Sequence, residues 1–288
     1  MTKRILAILI ACVMALSLTG CGKTAAVKET ERLIDAIGTV TAESVGAVEA
    51  AEAAYSALSD EEKNDVKNYS TLESARSELD TLLLESLRAA MVGTWVLNED
   101  VTQSLADRIT PQFSDQELSF GDYLAPCGLR IALELDDDGA YRLTVDESTL
   151  DQMRRQLQEA ARACTEEYFL RGIAAELKKT GIEGDFSTRE GIETAMGKTL
   201  DEVVLSTLGM GLDEYATGTV ENILPESTEL NAEGRYLVQP DMLYLSDTPD
   251  REPDGTKTAA FRLTGDILTL EVEQPVFGLT SLEFHRAG

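Results

Sequence analysis

Histidine is almost missing from this chain, with His285 the only one in 288 residues. A zinc centre or a histidine-activated serine or cysteine nucleophile needs imidazole beside other ligands or a nucleophile. Alternation about Leu282 and Phe284 sends His285 to the opposite strand face, with Ser281 and Glu283, where a structural or exposed role suffices. No Gly-x-Ser-x-Gly nucleophile motif and no Cys-x-x-Cys pair occurs. Basic residues are also scarce, 25 Lys and Arg against 52 Asp and Glu, for a formal charge of −27. Such a field repels nucleic acid and anionic headgroups, which excludes a nucleic-acid partner. Acids are so abundant that a carboxylate pair suited to glycoside hydrolysis discriminates nothing from a solvated surface.

Beyond the first twenty residues the chain has no apolar run long enough to span a bilayer. Within them, Lys3 and Arg4 precede the apolar stretch from Ile5 to Leu18, and Leu18-Thr19-Gly20-Cys21 follows. That tetrapeptide resembles the lipobox of bacterial lipoproteins. The resemblance implies a signal peptide over 1–20, cleavage before Cys21, a diacylglyceryl thioether on its sulfur, and a lipidated tether over 21–28. The chain would then lie outside the cytoplasm, lipid-anchored to the cell-membrane surface, with each buried methylene contributing roughly 0.8 kcal/mol. Of the other cysteines, Cys12 leaves with the signal. Cys127 and Cys164 fit a disulfide in an oxidising compartment or two separate half-buried thiols, and the sequence leaves both open.

Residues 29–91 read as a helical module. Val45, Val48, Ala51, Tyr55 and Leu58 recur at helical spacing, and Leu72, Ala75, Leu79 and Leu82 or Leu83 continue an apolar stripe. Ser59-Asp60-Glu61-Glu62 and Ser70-Thr71-Leu72-Glu73 both have the form of a capping box. Three stretches, Ile37-Gly38-Thr39-Val40-Thr41, Ala54-Tyr55-Ser56-Ala57-Leu58 and Val66-Lys67-Asn68-Tyr69 with Leu72, together resemble a helical module of Gram-positive surface proteins. It covers about residues 30–85 and implies a spacer or contact element.

From residue 92 the period changes. Leu129, Ile131, Leu133 and Leu135 alternate with Arg130, Ala132 and Glu134, Asp137-Asp138-Gly139 makes a turn, and Tyr141, Leu143 and Val145 alternate again. Short strands return at 235–238, 242–245, 260–263, 268–272 and 282–284, with a tight turn at Gly265-Asp266 and a long exposed loop over 246–257. With the strand at Trp95 they make eight, enough to close a small barrel. Gly93-Thr94-Trp95 resembles the opening of lipocalin-like barrels, in which the tryptophan helps close the base. The expected fold class is α+β: a small N-terminal helical bundle, then an eight-stranded antiparallel lipocalin-like barrel over 92–288. A helical insertion at about 148–224 separates its third and fourth strands, and so large an excursion departs from a simple lipocalin-like barrel. Leu150, Met153, Leu157, Ala161, Cys164 and Tyr168 step at helical spacing there. Ser187-Thr188-Arg189-Glu190 and Thr199-Leu200-Asp201-Glu202 look like capping boxes, and Gly209 suits a helix end.

Two stretches imitate ligand loops. Gly191 to Thr199 approximates a phosphate-binding loop but has one residue too many between its glycines and no preceding strand. Asp136-Asp137-Asp138-Gly139 approximates a calcium loop, yet Val145 falls where a bidentate glutamate is required, and a hairpin turn accounts for it. The stripe of Trp95, Leu129, Ile131, Leu133, Tyr141, Leu143, Val145, Phe261, Leu263, Leu268, Leu270 and Phe284 reads first as a packed core and second as the lining of an apolar ligand cavity. No catalytic residue, cofactor or metal is expected. The expectation is therefore a non-enzymatic interaction or scaffold lipoprotein with an envelope protein as partner. The alternative is a carrier of a small apolar ligand, and an envelope hydrolase ranks third.

Overall fold

The computed structural model describes residues 23–288, so the signal segment, the lipobox and Cys21 lie outside the described residues. The chain divides into two compact units, one ending at Leu87 and the other running from Arg88 to Gly288.

In the first unit the chain is helical earlier than the expected tether allows. Helix α1 spans Ala25–Ile37 because the Thr24 hydroxyl accepts the Val27 N–H and caps it. Helices α2 (Val45–Ser56), α3 (Asp60–Asp65) and α4 (Tyr69–Met91) follow. Ser59 and Glu62 form the reciprocal capping box that opens α3. Ser70 does not cap α4, which already begins at Tyr69, and its carbonyl instead accepts the Ser74 hydroxyl. Val27, Ile34, Val48, Ala51, Leu72, Ala75 and Leu79 are buried together, with Tyr55 stacked on Tyr69 at a centroid distance of 4.1 Å.

The second unit is built on a closed antiparallel barrel of eight strands in sequence order. They are β1 (Gly93–Asp100), β2 (Gly128–Leu135), β3 (Ala140–Val145), β4 (Ala232–Val238), β5 (Met242–Leu245), β6 (Lys257–Thr264), β7 (Ile267–Val276) and β8 (Leu279–Arg286). The barrel closes where β1 meets β8, Trp95 opposite Arg286 and Val96 opposite His285. Trp95 is fully buried at this seam. Its indole N–H donates to the Met91 carbonyl at 2.8 Å, and the Arg286 guanidinium lies 4.1 Å from the ring centroid. Arg286 also donates to the carbonyls of Val92 and Ala90, tying the end of α4 to the last strand.

Helices interrupt the barrel twice, once more than the sequence suggests. The foreseen insertion between β3 and β4 comprises α6 (Glu147–Lys179), α7 (Arg189–Met196), α8 (Leu200–Leu208), α9 (Leu212–Val220) and α10 (Ser227–Leu230). The unforeseen one lies between β1 and β2: α5 (Thr102–Ile109) and two 3-10 turns, Thr110–Gln116 and Phe120–Asp122. Leu105, Ile109, Phe113 and Phe120 from that segment are buried, and it packs against α6, with Phe113 edge-on to Tyr168. Thr199 and Glu202 cap α8 reciprocally, and Gly209 ends it in the left-handed region. Ser187 does not cap α7. Thr188 takes that position, and Ser187 instead bonds to Asp185.

Candidate functional site

Most of the apolar stripe proposed as ligand lining is buried. Trp95, Leu268 and Phe284 have no exposed surface, Leu129, Ile131, Leu133 and Val145 are buried beside them, and Leu270 is 8% exposed. Tyr141, Leu143, Phe261 and Leu263 are half-buried. Cross-strand pairs Leu133–Leu143, Ile131–Val145, Leu268–Phe284 and Leu270–Leu282 set these side chains on one face, so large residues meet large residues inside the barrel. Gly234, opposite Tyr141, has a special reason to lack a side chain. A Cβ there would run into the Ser246 carbonyl and lie 3.0 Å from the Tyr141 ring. The Tyr141 hydroxyl donates to that same carbonyl at 3.1 Å, so the chain leaving β5 closes down over the glycine.

Cys127 and Cys164 are both buried, and neither is bridged in this structure. The Cys127 sulfur lies against Gln156 of α6, 3.6 Å from its side-chain oxygen. Cys164 sits eight residues further along that helix, about 12 Å at 1.5 Å per residue. Burial pushes both thiols up to about 11, away from nucleophilic reactivity.

The other motif residues fall where their plain readings put them. Gly191 lies inside α7, and Gly197 ends that helix. Asp136 to Gly139 form the β2–β3 hairpin, in which the Asp136 N–H donates to the Ala140 carbonyl. His285 is exposed and 3.3 Å from Glu283. Among the described residues no group of three His, Cys, Asp or Glu side chains is placed to hold a metal, and no helix is long and apolar enough to cross a membrane.

One cleft beside β4 carries several charged side chains. A cavity of about 420 Å³ is lined by Arg88, Ala89 and Val92 at the end of α4, Asp137 to Gly139 of the hairpin, Arg235 to Val238 of β4, and Glu252. The register explains why it is there. β4 pairs with β3 only from Ala232 to Arg235, and with β5 from Tyr236 to Val238. The Gly139 carbonyl accepts the Tyr236 N–H at 2.7 Å, but the Gly139 N–H turns back to Asp136, and β3 extends no further. Residues 235, 237 and 239 direct their backbone groups to the β5 side, as the Ser246–Arg235 and Gln239–Met242 bonds require, so 236 and 238 face the cleft. Among the described residues the Tyr236 carbonyl and the Val238 N–H have no hydrogen-bond partner. The Val238 carbonyl has only the Arg88 guanidinium, at 3.5 Å.

The charges of the cleft are unevenly matched. Arg235 donates through Nη2 to the Asp138 carbonyl, whereas its buried Nε lies 3.0 Å from Glu252 without a directed hydrogen bond. Tyr236 donates to the Asp136 carbonyl at 2.7 Å, and its burial among three aspartates raises the phenol to about 12. Asp137 has no basic partner among the described residues, and the Asp138 carboxylate accepts only the Ala140 N–H. Sequence reasoning missed this cleft, because Arg88 at the end of α4 and Val238 on β4 meet across 150 residues of chain.

In comparisons with known proteins, no family model, curated protein or solved structure matches the chain.

Proposed function

We propose that the chain is a cell-envelope lipoprotein, anchored through Cys21, that acts as an interaction or scaffold protein. In this reading the first unit is a small helical bundle serving as a membrane-proximal spacer, and the lipocalin-like barrel is the presenting domain. The lipid on Cys21 rests on the order of charged start, apolar core and Leu18-Thr19-Gly20-Cys21. The observation that carries the interaction role is the distribution of polarity in the second unit. Most of the apolar stripe is buried between strands, whereas the cleft beside β4 is lined by charged side chains. A carrier of an apolar molecule needs the reverse, an unfilled apolar interior with an entrance.

Two measurements test this. Replacing Cys21 by Ser in the expressing cell abolishes fatty-acid labelling and moves the protein out of the membrane fraction. Retained labelling overturns the anchor. Cross-linking in intact cells followed by purification yields a discrete protein adduct. Recovery of a stoichiometric small apolar molecule in place of that adduct overturns the interaction role.

A further inference from the structure

We propose that the cleft beside β4 binds a small zwitterion, a solute carrying one carboxylate and one ammonium group, between Arg88 and Asp137. The inference goes beyond the interaction reading above and does not depend on it, since it needs no partner protein.

The cavity, about 420 Å³, has the size of a small-molecule site. Arg88, Ala89, Asp137, Asp138 and Glu252 in its lining are all exposed, so a solute meets them without reaching the buried Tyr236 or Val238. Part of the charge already has a local use. Arg235 lies beside Glu252 and donates to the hairpin, and the Asp138 carboxylate accepts the Ala140 N–H. Arg88 and Asp137 are left. Among the described residues neither forms an ion pair, not even with the other, although both line the same cavity. The Arg88 guanidinium has only the Val238 carbonyl, at 3.5 Å, the limit of hydrogen bonding.

A cation and an anion that share a cleft without pairing fit a ligand that carries both opposite charges. The planar fork of Arg88 matches a carboxylate, to which it donates two parallel bonds, and Asp137 accepts from the ammonium. Ala89, Val92 and Leu237 supply an apolar flank for the carbon skeleton between them. Net charge narrows the class further. At −27 the chain repels a simple anion, and a simple cation finds carboxylates over the whole surface. A neutral zwitterion is favoured only where both signs stand together, and amino acids are solutes of that class. Because both side chains are exposed, their ion pairs are screened, and the dissociation constant is on the order of 1 mM.

The test follows binding by NMR to the full chain in detergent, with leucine and ε-aminocaproate as zwitterions of short and long charge separation. Their one-charge relatives are N-acetyl-leucine and leucine amide for the first, and caproate and hexylamine for the second. At least one zwitterion binds and shifts the Gly139 amide, and its one-charge relatives bind about tenfold or more weakly. Arg88→Gln and Asp137→Asn each weaken that zwitterion about fivefold or more, whereas Arg262→Gln, outside the cleft, changes it by less than about twofold. An unchanged urea midpoint of Trp95 fluorescence shows that the variants are folded. Absence of binding by both zwitterions at about 20 mM, equal binding of the one-charge relatives, or binding untouched by both cleft substitutions overturns the site. The interaction role is read separately, by the cross-linking in intact cells, and survives each of these outcomes.

Discussion

Phe284→Ala is the sharpest probe of whether the barrel interior is filled. Phe284 is fully buried on β8, opposite the equally buried Leu268 of β7. Truncation to alanine removes roughly 100 Å³, which at about 24 cal/mol per Å³ of unfilled cavity costs about 2.4 kcal/mol. The lost transfer energy of the ring adds about 1.5–3 kcal/mol, for a total of about 4–5 kcal/mol. Trp95 is the only tryptophan, fully buried at the β1–β8 seam, so its fluorescence follows unfolding of the second unit without interference from the first. With a urea slope of about 2–3 kcal/mol per M, the midpoint falls by about 1.3–2.5 M at unchanged slope. Leu205→Ala, at a residue 55% exposed, serves as the control and shifts it by less than about 0.5 kcal/mol. A ring bordering a hollow ligand cavity leaves no new void when truncated. A loss below about 1 kcal/mol for Phe284→Ala therefore refutes the filled interior.

Other perturbations follow from single contacts. Gly234→Ala forces the Ser246 backbone off its seat and strains the β4–β5 junction, costing about 1–3 kcal/mol by the same fluorescence assay. Arg286→Ala loses the stacking on Trp95 and the bonds to Val92 and Ala90, lowering stability by about 2 kcal/mol, and lysine restores only part because it cannot fork between two carbonyls. Cys127 and Cys164 stay protonated in the folded state up to about pH 11, whereas they ionise near pH 9 once unfolded. The folded state thus binds more protons across that window, and stability falls as pH rises from 9 to 11, an effect that Cys127→Ala with Cys164→Ala reduces in urea titrations. The same burial leaves both thiols unlabelled by iodoacetamide at pH 8 until denaturant is added.

The strands were legible because a half-buried sheet writes its period into the sequence. Leu129, Ile131, Leu133 and Leu135 alternate with polar neighbours, and Asp138-Gly139 and Gly265-Asp266 supply the turns, Gly139 and Gly265 both at positive φ. The long helix α6 was legible for the same reason at its own period. The segment between β1 and β2 was not, because its short helix and 3-10 turns, broken at Pro111, are too brief to establish a repeat. Caps misled where two candidates stood side by side: Thr188, not Ser187, reached the free N–H of the first turn of α7. The cleft was invisible for a different reason. It exists because β3 stops at Ala140 while β4 runs on to Val238, and no local pattern records how far one strand outlasts its neighbour.

Native mass spectrometry of the full chain purified from its membrane, before and after organic extraction, tests the central claim most directly. The account predicts a protein mass beginning at Cys21 with covalent acyl chains and no further mass lost on extraction. A stoichiometric apolar molecule released by the solvent would contradict it and return the barrel to the role of a carrier.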